Sequence, residues 1–508
     1  MAHVNVWHLL AHAARRRPHR VALQSGGERL DYRQAADAAG ALAAELAARR
    51  VGPGDRVACL LPNDVAHWLV YFAAPAAGAV LVSLNTRLSA DELRRILAHC
   101  EARVLLHDEA HGGIARELGA RLPLGAVDLA ALRAGSPTPF APRLAAAREP
   151  AQLYYTSGTT GSPKGVVLTH HNVTAHALAA VRELRLRPSD VWAHVAPMFH
   201  LADAWATFAV TAVGGLHVFL PRFTPGHALD LLRDARVTIT NLVPTMLTRM
   251  VAEPDAGDRD YALRLVLSGG APIAPDVVRR VLATFGCDYA QTYGMTETSP
   301  YLTMSLLPPE LRRLPAAEQL PWKCKTGRAF RGVELRVVDA DGRDVPRDGR
   351  AVGEIRVRGP NVTPGYWRDP AATAAAFDAD GFLRTGDLAT IDAHGFVDIV
   401  DRIKDVIKTG GETVYSVEVE HVLHEHPAVL ECAVVGVPDA TWGERVVAAV
   451  VPRPGHEATP DDLIAFCRER IAAFKAPKRI ALVDALPRTG SGKIRKAAIR
   501  DELARSET

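Results

Sequence analysis

Alternating strand and helix patterns fill much of the N-terminal half of this 508-residue chain and restrict its fold more than any other feature. The predicted strands are 56–61, 79–84, 103–107, 216–220, 237–243 and 263–268. The predicted helices include 33–50, 65–77, 90–100 and three that begin near Pro225, Pro244 and Pro275. Strands that alternate with helices through short connections form parallel sheets covered by helices. The sequence therefore predicts an α/β fold.

The alternation of strands and helices ends near Gly332. Segments 333–339 and 354–358 have strand character and are separated by turn residues, which predicts a small antiparallel β unit. The segment that begins at Asp401 is long enough to form a domain of its own. We therefore expect a large N-terminal domain, residues 1–400, and a smaller, mobile α+β domain, residues 401–508.

Composition excludes several classes of function. A net charge of +3 over this length gives no indication of a nucleic-acid partner. The six cysteines are widely spaced without a Cys-x-x-Cys pair, which argues against a zinc site or disulfide framework and favours a cytoplasmic location. The apolar segment 195–220 is interrupted by histidine, aspartate and glycine, so we expect it to be buried and not to span a membrane.

The strongest functional motif is the loop Tyr155–Val166, which is rich in glycine and hydroxyl side chains. Apolar residues on both sides predict that it joins two strands. Its glycines let the backbone approach a ligand closely, and its hydroxyls and Lys164 suit a polyphosphate. Because Lys164 is followed by Gly165 and not by serine or threonine, the common nucleoside-triphosphatase phosphate loop is disfavoured.

Four further polar motifs follow. Gln291–Thr298 combines an aromatic residue beside glycine, suited to a purine, with Glu297, suited to Mg²⁺. Ser268–Pro272 places two glycines at the end of a predicted strand. Asp387 offers a carboxylate to the hydroxyls of a ribose. Lys493, on a glycine-flanked loop near the C-terminus, offers a cation that can stabilise negative charge on a phosphate.

Taken in their order along the chain, these motifs resemble the adenylate-forming superfamily, in its acyl-CoA synthetase and fatty-acid–CoA ligase branch, over residues 155–493. The resemblance implies that a carboxylic acid and Mg·ATP form an acyl-adenylate and pyrophosphate. The thiolate of CoA then releases the thioester and AMP. ATP, Mg²⁺ and CoA are thus implied, together with a small domain that rotates between the two half-reactions.

The resemblance implies a role for each matching position. Catalysis is expected of Lys493, His200, Thr296 and Glu297. The nucleotide is expected at Thr156, Ser157, Gly158, Thr159, Thr160, Gly161, Lys164, Gly270, Ala271, Pro272, Gln291, Thr292, Tyr293, Gly294, Met295, Asp387 and Arg402. The expected metal ligands are Thr156 and Glu297, and the expected hinge is Lys404. The acyl group is expected at Leu201, Ala202, Asp203, Gly269 and Tyr301. CoA is expected at Gly410, Gly411, Trp442, Phe474 and Lys478.

Four of these positions have a second interpretation. Trp442 and Phe474 fit a hydrophobic core equally well. His200 also fits a buried, hydrogen-bonded core histidine. Asp203 is unusual in an apolar segment, and it either faces water or pairs with a polar group of the substrate.

The substrate is only partly defined. The expected acyl-binding segments are mostly apolar and contain no arginine to pair with a second carboxylate, which disfavours malonate-like diacids. Medium- or long-chain fatty acids and aryl or alicyclic acids remain open. Three alternatives to CoA ligation also remain: loading of a separate carrier protein, a luciferase-like oxygenase, and a non-catalytic nucleotide sensor. A homodimer is expected at the level of the family only.

Overall fold

The computed structural model describes residues 5–133, 140–157, 163–271, 273–488 and 494–505. The chain forms two compact units, each built from two segments of the sequence. The first comprises Met1–Glu334 and Val357–Leu383, and the second comprises Leu335–Arg356 and Arg384–Thr508. Within the described ranges, no helix is both long and apolar enough to cross a membrane.

Strands and helices alternate through most of the first unit. Its strands are β1 Val21–Ser25, β2 Glu28–Asp31, β3 Arg56–Leu60, β4 Val80–Ser83, β5 Ala102–His107, β6 Ala126–Asp128, β7 Pro150–Ser157, β8 Pro163–Thr169, β9 Val191–His194, β10 Leu216–Phe219, β11 Ile239–Asn241, β12 Leu265–Gly269, β13 Asp288–Gly294, β14 Tyr301–Met304 and β15 Arg328–Ala329. Its helices are α1 Val6–Arg16, α2 Tyr32–Ala48, α3 Val65–Ala76, α4 Ala90–Cys100, α5 Gly112–Gly119, α6 Leu129–Arg133, α7 His170–Glu183, α8 Leu201–Val213, α9 Pro225–Asp234, α10 Pro244–Met250, α11 Pro275–Phe285, α12 Pro309–Arg312, α13 Ala316–Cys324 and α14 Pro370–Ala376. Short 3-10 turns cover Ala256–Asp258 and Thr296–Thr298.

These strands form two large sheets. One has six strands in the order β6-β5-β3-β4-β7-β8, and the other has nine in the order β15-β14-β13-β12-β11-β9-β10-β1-β2. Neighbouring strands are parallel through the centre of each sheet. Antiparallel pairs lie toward the edges of these sheets, at β7–β8, β1–β2, β13–β14 and β14–β15. The predicted α/β fold with parallel-rich sheets is confirmed.

Local sequence signals account for where the helices begin. Ser89 accepts a hydrogen bond from the backbone N–H of Glu92 and so caps α4, as predicted. Pro225, Pro244 and Pro275 are the first residues of α9, α10 and α11, where a missing N–H costs no hydrogen bond. The predicted strands and helices lie within two residues of those observed.

The largest core cluster of the first unit packs helices against faces of both large sheets. Trp68, Trp192, Trp205 and Tyr71 are among its fully buried side chains. Burial of each such ring stabilises the fold by about 1.5–3 kcal/mol. The segment 195–220, which contains α8 and β10, is largely buried here, as predicted.

The second unit contains two smaller sheets. Its strands are β16 Glu334–Val338, β17 Gly353–Arg358, β18 Leu383–Ile391, β19 Val397–Arg402, β20 Ile407–Thr409, β21 Glu412–Val414, β22 Val429–Asp439, β23 Gly443–Pro452 and β24 Arg479–Leu482. Its helices are α15 Ser416–His424, α16 Pro460–Arg468 and α17 Lys496–Arg505, with a 3-10 turn at Ile403–Asp405. One sheet has the order β16-β17-β18-β19, and in the other β24 joins the order β21-β20-β23-β22 by pairing with β23. Helices α15, α16 and α17 pack on the second sheet.

Candidate active site

Three of the predicted motifs lie at one edge of the nine-stranded sheet. Strands β9, β11, β12 and β13 run parallel, so their carboxyl ends share that edge. His200 follows β9, Gly269 ends β12 and Gly294 ends β13. Ligands of open α/β sheets bind outside the carboxyl ends of the strands. The fold thus brings these motifs to the edge where a ligand is expected.

The glycine-rich loop connects β7 and β8, which pair as an antiparallel hairpin. Thr156 is opposite Lys164 in this hairpin. A Cβ at Gly165 would lie 3.0 Å from the ring of Tyr155, which is closer than an ordinary van der Waals contact. The predicted strand–loop–strand arrangement is confirmed. Residues 158–162, which include Gly158, Thr159, Thr160 and Gly161, and the side chain of Ser157 lie outside the described part of the structure.

Tyr366 connects this hairpin with the Gln291–Thr298 motif. The Lys164 Nζ lies 5.3 Å from the centre of the Tyr366 ring. The Tyr366 hydroxyl donates to Glu297 Oε1 at 2.9 Å, and burial raises the pKa of Tyr366, so the hydroxyl keeps its proton. Tyr366 was not among the predicted site residues, because no local pattern links it to a glutamate 69 residues away.

Glu297 is the residue of this edge best suited to a metal ion. It is buried in the 3-10 turn that begins at Thr296, and its carbonyl accepts from the Thr363 N–H at 2.7 Å. No group of three histidine, cysteine or carboxylate ligands exists among the described residues. Mg²⁺ takes one or two protein carboxylates and fills its other positions with water and phosphate. A single buried carboxylate therefore fits the Mg²⁺ of a nucleotide.

Side-chain hydrogen bonds connect the segments at the carboxyl ends of β12 and β13. Thr292 Oγ1 donates to the Ser268 carbonyl at 2.9 Å, and Gln291 Nε2 donates to the Ala271 carbonyl at 3.0 Å. A Cβ at Gly269 would lie 2.4 Å from Thr292 Oγ1, and one at Gly294 would lie 1.9 Å from the Pro300 carbonyl oxygen. Both positions therefore require glycine.

The other predicted nucleotide residues of this edge are close by. Gly270 has a left-handed φ of 87°, and the Met295 N–H donates to Thr298 Oγ1 at 3.2 Å. Tyr293 is half-buried. Pro272 lies outside the described residues.

His200 is the N-cap residue of α8. Its Nδ1 accepts from the Ala202 N–H at 3.1 Å, so the proton of the neutral ring is on Nε2. An Nε2–H group is a suitable donor to a carboxylate. His200 is half-buried and not a core histidine.

Asn63 and Tyr71 hold the segment that leads to His200, and the sequence analysis missed both. The Asn63 amide donates to the carbonyls of His194 and Ala196 at 3.0 and 2.8 Å, and its Oδ1 accepts from the Met198 N–H at 2.8 Å. The Tyr71 hydroxyl donates to the Met198 carbonyl at 2.5 Å. These contacts join residues more than a hundred positions apart, which only the folded structure can show.

Asp203 does not face water, and that expectation is wrong. The carboxylate is fully buried, and it accepts from Trp192 Nε1 at 3.2 Å and lies 2.5 Å from His194 Nδ1. His194 Nε2 in turn lies 2.9 Å from His217 Nδ1. Asp203 thus belongs to a polar network inside the protein. Its expected neighbours in acyl binding, Leu201 and Ala202, begin the same helix.

In the second unit, Asp387 and Arg402 lie side by side. They are opposite each other in the β18–β19 pair, and Arg402 Nε lies 3.1 Å from Asp387 Oδ1. The Asp387 side chain is 7% exposed, whereas that of Arg402 is 51% exposed. Glu354, which the sequence analysis missed, accepts from the Gly386 N–H at 3.3 Å and stabilises the turn before Asp387.

The predicted CoA residues lie on the surface of the second unit. Gly410 and Gly411 have left-handed φ angles of 59° and 85° and connect β20 with β21. The Trp442 ring covers Gly410, since a Cβ there would lie 2.8 Å from it. Trp442 and Phe474 are 54% and 37% exposed, so the alternative interpretation that they are core residues is wrong.

The other predicted site residues of this unit are Lys478, Lys404 and Lys493. Lys478 Nζ donates to the Ala473 carbonyl at 2.9 Å, which places it beside Phe474. Lys404 is exposed in the 3-10 turn Ile403–Asp405. Lys493 lies outside the described residues. Arg488 and Ile494 form an antiparallel bridge.

A largely buried ion cluster, in which the side chains of Lys496 and Glu420 are 16% and 14% exposed, fixes the start of α17 in the second unit. Lys496 Nζ lies 2.7 Å from Glu420 Oε1 and donates to Ser416 Oγ at 2.6 Å. The Ser416 hydroxyl also bonds the Asp401 carboxylate at 2.9 Å. Burial raises the pKa of Glu420 and of Asp401, and the Lys496 ammonium group opposes that rise. The cluster joins Asp401, the residue before Arg402, to helix α17. This helix begins at Lys496, three positions after Lys493.

We expect Lys496→Met to destabilise the protein by about 3–5 kcal/mol, because it leaves the Glu420 carboxylate buried without its cation. Lys475→Met is the matched control. Its ion pair with Glu418 has the same 2.7 Å length but more exposed side chains, so its loss costs about 1 kcal/mol or less. Thermal unfolding of both variants measures the difference. Equal losses of stability in the two variants would contradict the larger contribution expected of the Lys496–Glu420 pair.

Comparison with known proteins decides the family. The family model described as AMP-binding enzyme matches residues 10–367, and that of the AMP-binding enzyme C-terminal domain matches residues 418–493. The chain belongs to the AMP-binding enzyme family. It is 39% identical to a feruloyl-CoA synthase from Amycolatopsis sp over 493 residues, which cover 96% of each chain. It is 38% identical to a long-chain-fatty-acid–CoA ligase from Thermus thermophilus, over 98% of this chain and 95% of that one.

The solved structure of ATP-bound MatB from Rhodopseudomonas palustris is similar over 99% of this chain and all of that one, with a TM-score of 0.90 and 34% identity. These likenesses confirm the predicted acyl-CoA synthetase branch of the adenylate-forming superfamily and its α/β fold. The AMP-binding family member described here is an AMP-forming acid–CoA ligase, with ATP, Mg²⁺ and CoA as its cofactor and co-substrates.

Proposed function

We propose that the acid is adenylated at the carboxyl edge of the nine-stranded sheet, and that Glu297 holds the Mg²⁺ of Mg·ATP. The observation that carries this proposal is the contact series from Lys164 through Tyr366 to Glu297. It joins the cation of the glycine-rich hairpin to the carboxylate of the Gln291–Thr298 motif. A polyphosphate and its metal ion need these two charges close together. Thr156, opposite Lys164, is the second proposed metal ligand.

In the first half-reaction, the adenylation of the acid, the residues of this edge would have different roles. The Nε2–H of His200 orients the acyl carboxylate, one oxygen of which attacks the α-phosphorus while the bond to pyrophosphate breaks. Lys164 and Thr296 bind phosphate oxygens, and Tyr293 and Ala271 contact the adenine. When bound, Mg²⁺ supplies positive charge to the phosphate oxygens. Lys493 supplies the cation that stabilises charge developing between carboxylate and phosphate.

For the second half-reaction we propose a rotation of residues 401–508 about Lys404. The adjacent Asp387 and Arg402 side chains support a joint role in holding the ribose. The exposed indole of Trp442 beside Gly410, with Phe474 and Lys478, supports a role in binding CoA. The CoA thiolate attacks the acyl carbon, the bond to AMP breaks, and thioester and AMP leave. Loading of a separate carrier protein is the alternative.

The proposed substrate is a medium- or long-chain fatty acid or an aryl or alicyclic acid. Two observations support it: the apolar character of the expected acyl residues, and relatives named for feruloyl-CoA and long-chain fatty acyl-CoA synthesis. We also propose a cytoplasmic enzyme, since all six cysteines are free thiols, and a homodimer by analogy with the family.

Pyrophosphate release measured against a panel of fatty, aryl and alicyclic acids tests this proposal. We expect release with one class of acid only, and the mass of the product distinguishes a CoA thioester from an acylated carrier. Pyrophosphate release with malonate and not with monocarboxylic acids would contradict the proposed substrate. Nucleotide binding without pyrophosphate release for any acid would favour the non-catalytic sensor.

A further inference from the structure

Asp401 is a buried aspartate that lies three positions before Lys404, the proposed hinge. It is 2% exposed and belongs to β19, where it directly precedes Arg402. The backbone N–H of Arg402 donates to Asp401 Oδ1 at 2.7 Å. A carboxylate removed from water needs such donors or a cation to compensate for its lost hydration. Further donors to this carboxylate lie on the other side of the hinge.

Ser416, the first residue of α15, supplies these donors. Its backbone N–H donates to Asp401 Oδ2 at 2.5 Å, and its hydroxyl donates to the same oxygen at 2.9 Å. The N–H groups and the dipole at the N-terminus of a helix stabilise a negative charge placed there. These bonds join β19, at the edge of the four-stranded sheet, to a helix that packs on the five-stranded sheet.

Lys496, the first residue of α17, extends this contact to a second helix. Its Nζ donates to the Ser416 hydroxyl at 2.6 Å and lies 2.7 Å from Glu420 Oε1. Its positive charge also lowers the pKa of Asp401 against the effect of burial, so it stabilises that carboxylate. Asp401 is thus held by two helices, α15 and α17, that both follow the hinge in the chain.

The chain directly after Asp401 is weakly packed. The next three residues are exposed, and a 3-10 turn covers Ile403–Asp405. Ile403 is 50% exposed although its side chain is apolar, so little buried surface holds this turn in place. A rotation about Lys404 would leave Asp401 with β19 and carry α15 and α17 away from it. The contact therefore has to open once in each turnover.

The contact belongs to the orientation that adenylates the acid. Lys493 precedes the first residue of α17 by three positions, so the chain allows at most about 11 Å between the two. Arg402, the neighbour of Asp401, is paired with Asp387. The contact therefore keeps the chain segment that carries Lys493 close to the proposed ribose-binding pair. Adenylation requires that proximity, whereas thiolysis does not.

We propose that Asp401 is a positioning residue of adenylation, which holds α15 and α17 beside the ribose-binding pair and releases them for thiolysis. When the contact opens, its hydrogen bonds are exchanged for bonds to water, so the net free energy that holds it closed is modest. A modest gain suits a contact that opens in every turnover. A permanent helix cap would instead contribute to stability alone. This inference rests on the proposed two-step function and on the rotation about Lys404.

Asp401→Asn and Ser416→Ala in the full-length enzyme test this inference. The substrate is whichever of octanoic, benzoic and cyclohexanecarboxylic acid the wild type activates fastest. Pyrophosphate release measures adenylation, and thioester formation from the supplied acyl-adenylate of that acid measures thiolysis. We expect Asp401→Asn to lower the ratio of the first rate to the second by about tenfold, because it removes the charge from the hydrogen bonds. Ser416→Ala keeps the backbone N–H and should lower the ratio by about threefold.

Glu418→Gln is the matched control, because it neutralises another carboxylate in the first turn of α15. The partner of Glu418, Lys475 Nζ, lies 2.7 Å away and also follows the hinge, so the ratio should stay unchanged.

An unchanged ratio in Asp401→Asn, or a loss confined to thiolysis, would overturn the inference and leave the proposed function standing. If Asp401→Asn does not fold, an unchanged ratio in Ser416→Ala has the same meaning. No pyrophosphate release by the wild type with any of the three acids would overturn the proposed function and, with it, this inference.

Discussion

Lys493→Ala is expected to slow acyl-adenylate formation by about a thousandfold or more, and to leave thiolysis of supplied acyl-adenylate largely intact. The carboxylate and ATP are both negative, and attack on the α-phosphorus increases negative charge between them. A cation positioned there stabilises the transition state of adenylation only. In thiolysis the acid is already activated, so the same cation has no such role. Separate assays of pyrophosphate release and of thioester formation from acyl-adenylate measure the two effects.

Arg495→Ala is the matched control for this variant. Arg495 carries the same charge two positions further along the chain, it is exposed, and its backbone N–H donates to the Pro487 carbonyl. We expect its two half-reactions to change less than severalfold. A Lys493→Ala enzyme in which both half-reactions fall equally would show that the lysine has a structural and not a catalytic role.

Glu297→Gln is expected to lower the rate of adenylation by about a hundredfold and to raise the Mg²⁺ concentration required for half-maximal rate. Glutamine keeps an oxygen that can accept from the Tyr366 hydroxyl, but it removes the negative charge that attracts the metal ion. The loss should therefore come from metal binding and not from a change in the fold. Pyrophosphate release measured across a Mg²⁺ titration separates the two effects.

Tyr366→Phe is the control for Glu297→Gln. It removes the hydrogen bond to Glu297 but leaves the carboxylate charged, so we expect less than a tenfold loss and little change in the Mg²⁺ requirement. An unchanged Mg²⁺ requirement in Glu297→Gln would exclude Glu297 as a metal ligand.

The elements that the sequence predicted correctly depend on local patterns. The hairpin β7–β8, the capped start of α4 and the parallel strands each follow from short-range hydrophobic periodicity, capping residues or proline positions. The adjacency of Asp387 and Arg402 follows from the register of one antiparallel pair.

The features that the sequence analysis missed depend on contacts between distant residues. The bond of Asn63 to Ala196 and that of Tyr366 to Glu297 join different sheets and loops, and no periodicity encodes them. The error on Asp203 has the same origin. Its buried partners, Trp192 and His194, lie on the neighbouring strand β9, and only the packing of α8 on that strand brings them together.

The central claim is that the carboxylate becomes bonded to the α-phosphorus of ATP before the thiol attacks. Turnover of a carboxylic acid labelled with heavy oxygen in both carboxyl positions tests it directly, with the products analysed by mass spectrometry. We predict that the AMP carries one heavy oxygen, because the acyl carbon–oxygen bond breaks when CoA attacks and the oxygen stays on phosphorus. Unlabelled AMP, or heavy oxygen in inorganic phosphate together with ADP, would contradict the account.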